Sequence, residues 1–78
     1  MTVEEMVSRA RLPPAQTDLV NDAFAEVWAA LEGGFPDEHS RNEQRARLVG
    51  ILLLLVRVVT DADFLKAAAL RAFTGAPQ

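Results

Sequence analysis

The chain has 78 residues, half of them hydrophobic, with a formal net charge of −3, one histidine and no cysteine. At this size about 60% of the surface exposed by the unfolded chain is buried on folding, which suits one domain of marginal independent stability. The lack of cysteine excludes disulfides and thiolate chemistry, and the acidic balance argues against a nucleic-acid surface.

Residues 1–12 read as a short N-terminal helix or arm. The start, Met-Thr-Val-Glu-Glu, has neither the basic beginning nor the apolar core of a secretory signal, so the expected compartment is the cytoplasm. Thr2 and Glu5 have capping-box spacing. Val3, Met6, Val7 and Ala10 follow at helical intervals and predict a helix over about 3–11. Pro13 ends it by disfavouring helical geometry at Leu12. So short a helix is marginal without packing, and it is expected to serve as an arm that docks on a partner.

A single helical domain is expected over 13–75. Pro14 suits the first turn of a helix, with Thr17 or Asp18 as caps for a later start. Leu19, Val20, Ala23, Phe24, Val27, Trp28, Ala30 and Leu31 form one apolar arc, and Asp18, Asn21, Asp22, Glu26 and Glu32 take the other side. Phe24 and Trp28, one turn apart, read as core. Gly33-Gly34 is expected to stop this helix through a left-handed cap. Phe35 is then expected to fold back onto the core.

Asp37 or Ser40 begins a central helix, expected over about 38–59. From Leu48 to Val56 no side chain is polar. Extended to Val59, with Arg57 interrupting it, the stretch covers about 18 Å as a helix, against about 30 Å for a bilayer core, and no membrane span is assigned. At about 100° per residue, Glu43, Arg47, Gly50, Leu54 and Arg57 collect on one narrow line. Leu48, Val49, Ile51, Leu52, Leu53, Leu55, Val56, Val58 and Val59 fill more than half of the circumference. A surface helix buries a stripe only modestly wider than about 100°. This arc is therefore expected to need cover from several sides, with two short neighbouring helices leaving a remainder for a partner subunit. Thr60 to Asp63 repeats the capping spacing, so a last helix is expected over about 61–73. Leu65, Ala68, Ala69, Ala72 and Phe73 lie on its arc, and residues 76–78 are expected to fray. The fold expected is all-α: a short N-terminal helix and a three-helix antiparallel bundle, completed by dimerisation.

No catalytic residue, cofactor or metal site is assigned. His39, with Asp37, Glu38 and Glu43, falls short of a zinc site, which takes three or four protein ligands and here has no cysteine or second histidine to draw on. Asp22 and Glu26, one turn apart, read as a solvated acidic face. The hydroxyls lack a histidine nearby in sequence, and the glycines form no phosphate loop. Charge is unevenly laid out. Residues 12–40 hold six carboxylates and no lysine or arginine, while residues 41–59 hold Arg41, Arg45, Arg47 and Arg57 against Glu43. An acidic helix beside a basic one is the simplest reading. Arg41, Arg45 and Arg47 also follow a turn, as at the start of a DNA-recognition helix, although the helix they open soon becomes too apolar for a groove.

The stretches Ala23-Phe-Ala-Glu-Val-Trp-Ala-Ala-Leu-Glu32, Arg45-Ala-Arg-Leu-Val-Gly-Ile-Leu52 and Asp63-Phe-Leu-Lys-Ala-Ala-Ala-Leu-Arg-Ala-Phe73 resemble short hypothetical proteins of alphaproteobacteria. The resemblance covers about residues 17–73, and the consecutive leucines of the central helix depart from it. It implies a bacterial helical protein and brings no functional residue with it. The function expected is that of a small non-enzymatic interaction or regulatory protein. It would form a homodimer through Glu43, Arg47, Gly50, Leu54 and Arg57, with an unidentified protein as a further possible partner. If that line meets its copy antiparallel about Gly50, Glu43 faces the partner's Arg57. The alternative is a nucleic-acid-binding regulator using Arg41, Arg45 and Arg47.

Overall fold

The computed structural model describes residues 3–75. The helices are α1 (Val3–Ala10), α2 (Pro14–Leu31), α3 (Glu38–Leu55) and α4 (Ala62–Thr74), with a 3-10 turn over Glu32–Gly34. There is no strand among the described residues, and the chain is all-α. The cap expected at Thr2 and the fraying expected at 76–78 lie outside the described residues.

Helix α1 sets Val7 into the core with Val3 and Met6 partly buried beside it, and it packs on α3. The segment expected to be an arm for a partner has a seat on its own chain. It ends at Arg11, whose φ of 52° is left-handed and turns the chain toward Pro13. Helix α2 starts at Pro14, ahead of the caps considered at Thr17 and Asp18. The Thr17 hydroxyl instead donates back to the Leu12 carbonyl at 3.4 Å.

The end of α2 corrects the expected glycine cap. Among the described residues only Arg11 and Gly75 have positive φ, so Gly33 and Gly34 are not left-handed. They tighten the chain into the 3-10 turn, where the Phe35 N–H donates to the Glu32 carbonyl at 3.2 Å. Phe35 then returns to the core as expected, stacked on Trp28.

Asp37 caps α3, its carboxylate accepting from the Ser40 N–H at 2.7 Å. The helix ends at Leu55, short of the boundary expected near 59. Val56, Val58 and Val59 are β-branched and favour helix weakly. The Val58 and Val59 N–H groups both donate to the Leu55 carbonyl, at 3.0 and 2.8 Å, and close a turn there. The next cap also differs from expectation. Asp61, not Thr60, begins α4, and its carboxylate accepts from the Phe64 N–H at 2.7 Å. Asp61→Ala should therefore cost about 1 kcal/mol in urea denaturation and Thr60→Ala almost nothing. Equal losses would contradict this assignment.

Three helices cover α3, since α1, α2 and α4 all pack against it, and α2 also packs against α4. Leu48, Val49, Leu52 and Val56 are completely buried. Ile51, Leu53, Leu55 and Val59 are partly buried against the same core. The chain thus covers more of the apolar arc than two neighbours were expected to, because α1 supplies a third. No polar or charged side chain is buried among the described residues.

Candidate functional site

The buried side of α3 fixes what its other side presents. Leu48, Leu52 and Val56 recur every four residues along the core, so the line half a turn away faces outward. Glu43, Arg47 and Leu54 are exposed on α3 and Gly50 partly so, while Arg57, expected on the same helical line, is exposed in the turn beyond the helix end. Leu54 leaves 72% of its surface in water, and Val58, just past the helix end, leaves 80%. A Cβ built on Gly50 would meet nothing within 4 Å, so the middle of the line is open backbone.

The charges on this line differ in their commitments. Glu43 pairs with His39 at 3.1 Å on the exposed surface. Arg57 makes no hydrogen bond or ion pair among the described residues. Arg47 is drawn sideways toward α4. Its guanidinium lies 4.7 Å from the Phe73 ring centroid and donates to Gln44 Oε1 at 3.4 Å.

The other two arginines serve the interior. Phe24 stacks on Trp28 at 6.1 Å, Trp28 on Phe35 at 5.7 Å, and Phe35 meets Phe73 edge-on at 6.2 Å. Arg45 lies over Trp28 within this series, 5.5 Å from the ring centroid, and donates to Asn42 Oδ1 at 2.6 Å. The Arg41 Nε–H donates to the Phe35 carbonyl at 3.0 Å and holds the α2–α3 connection. Arg41 and Arg45 are partly buried, and all three arginines are engaged with the linked residues Phe35, Trp28 and Phe73. Arg45→Ala should lower stability by about 0.5–1 kcal/mol. It should also shift the emission of Trp28, the only tryptophan. An unchanged spectrum would contradict the stacking.

A shallow open groove of about 340 Å³ lies between α2 and α4. Val27, Ala30, Ala67 and Leu70 give it an apolar floor, and Glu26, Asp63 and Lys66 line it as well. Lys66 crosses from α4 to an ion pair with Glu26. That hydrogen bond is the main reason its ammonium is held above the ordinary lysine range. Partial desolvation opposes the shift, and the charges of Glu26, Asp63 and Asp22 add to it.

Among the described residues, no group of three or more histidine or carboxylate side chains is placed to hold a metal ion. No helix among them is long and apolar enough to cross a membrane. No family model matches the chain, and no curated protein or solved structure shows significant similarity to it.

Proposed function

We propose that this chain is a small, non-enzymatic interaction protein of the bacterial cytoplasm, regulatory or adaptor in role, that pairs with a second copy through the outward line of α3. In this reading α2, α3 and α4 form an antiparallel bundle with α1 laid on α3, and the second copy completes it. The observation that carries the proposal is Leu54, 72% exposed in the last turn of α3, on the side away from the buried Leu48, Leu52 and Val56. Fully burying a leucine is worth about 1.5–3 kcal/mol, and a symmetric pair gains it twice.

An antiparallel crossing at Gly50 gives the pairing a register. Gly50 lets the two backbones approach closely. Leu54 then lies opposite the partner's Ala46, and Glu43 opposite the partner's Arg57. Arg57 has no competing ion pair among the described residues, and Glu43 need only exchange an exposed contact with His39. Arg41, Arg45 and Arg47, the candidates for nucleic acid, are engaged with Phe35, Trp28 and Phe73. Those commitments favour pairing over a nucleic-acid surface.

The register is tested by charge exchange. Arg57→Glu should weaken the pair about tenfold, since two rim ion pairs of roughly 0.5 kcal/mol each are lost and replaced by repulsion. Adding Glu43→Arg should restore most of the affinity in sedimentation equilibrium. A double variant as weak as the single one would contradict this register.

A further inference from the structure

We infer that the groove between α2 and α4 is a second interaction surface, which accepts a basic amphipathic helix from a partner protein. It is separate from the outward line of α3, since its lining comes from α2 and α4 alone. Its floor is apolar but low. Ala30 and Ala67 leave a trough between the helices where larger side chains would make a ridge, and Leu70, 37% exposed, supplies an edge to pack against. A helix can lie close in such a trough and anchor an apolar stripe in it.

Charge selects among possible helices. Glu26 and Asp63 border the floor, and Asp22 stands one turn before Glu26 on α2. Against these three carboxylates there is one ammonium, Lys66, already paired with Glu26. The border thus keeps a net negative charge around an apolar floor. A helix with lysine or arginine flanking its apolar stripe satisfies both features, whereas an acidic helix of the same shape satisfies only the floor and is repelled at the border. A second copy suits the groove less well. Its own leucine-bearing face is the outward line of α3, and seating that line here would join copies head to tail and give up the symmetric pairing.

The probe is a fluorescein-labelled peptide of repeating Leu-Lys-Lys-Leu-Leu-Lys-Leu, about 14 residues long so that a helix is within reach on binding. Fluorescence anisotropy should give a Kd on the order of 10 μM at low salt, weakening as salt rises. The same peptide with glutamate in place of lysine should not bind. Ala67→Phe fills the trough without altering charge and should weaken binding about tenfold or more, equivalent to about 1.4 kcal/mol. Ala30→Phe, from the opposite wall, should do the same, so the test survives if either variant folds poorly. Leu54→Glu should leave peptide affinity unchanged, which keeps this test apart from that of self-pairing. Equal affinity for the wild type and both filled variants would reduce the effect to general charge attraction and overturn the inference. Loss of self-association in the filled variants would make the occupant a second copy and would overturn it as well.

Discussion

Leu52→Ala should lower the free energy of unfolding by about 3 kcal/mol, and Leu54→Ala, two residues along the same helix, by less than about 0.5 kcal/mol at dilute protein concentration. Leu52 is completely buried on the core side of α3, the helix that α1, α2 and α4 all pack against, so truncation forfeits transfer energy and leaves a cavity. Leu54 is 72% exposed and has little to forfeit within one chain. A chain of this length is stable by roughly 4–12 kcal/mol, so the first substitution removes a quarter of that or more. Urea denaturation of both variants measures the difference. Comparable losses would mean that α3 is rotated from the orientation described, and the outward line would no longer be outward. Dilution matters because self-association adds concentration-dependent stability, which Leu54→Ala would also remove.

Leu54→Glu should abolish self-association while leaving the melting temperature of the single chain nearly unchanged. Each copy would lose a contact of about 2 kcal/mol, so the pair loses roughly 4 kcal/mol, or about three orders of magnitude in Kd. Two desolvated carboxylates add to that loss. A charge placed on an exposed helix position costs the isolated chain little, so association and folding separate in this variant. Val58→Glu, 80% exposed in the turn beyond the helix, should act in the same direction more weakly. A Leu54→Glu variant that unfolds would show that Leu54 is needed inside its own chain. One that associates like the wild type would remove the outward line of α3 from the interface.

Much of the architecture was legible because local chemistry and periodicity agreed. The Asp37 cap, Pro14 in a first turn, the return of Phe35 and the apolar arc of α2, except for Ala30, which is exposed, follow from residues close in sequence. What was harder to read depended on contacts made at a distance. The valines after Leu55 continue the apolar pattern without a break, so hydropathy alone cannot mark where helix gives way to turn. Asp61 and Thr60 are both good caps, and the turn closed on the Leu55 carbonyl selects Asp61. Gly33 and Gly34 permit a left-handed cap but do not require one, and a 3-10 turn places Phe35 on Trp28 instead.

The line Glu43–Arg47–Gly50–Leu54–Arg57 could be drawn from a helical wheel, but the wheel holds only as far as Leu54, because α3 ends at Leu55 and Arg57 lies in the turn beyond it. Arg47 departs from it because a long side chain can leave its own face for the ring of Phe73. The stacking of Arg45 on Trp28 joins residues of two helices and carries no local signal, although a basic residue on the core side of α3 is a hint. The α2–α4 groove was beyond a one-dimensional reading, since small alanines on two helices make a trough only once the helices are side by side.

Self-pairing through the outward line of α3 is the central claim, and light scattering across a dilution series of the wild-type chain tests it most directly. The mass should be twice 8.5 kDa at high concentration and fall toward 8.5 kDa on dilution. A compact, folded species that stays at the single-chain mass throughout the series would contradict it.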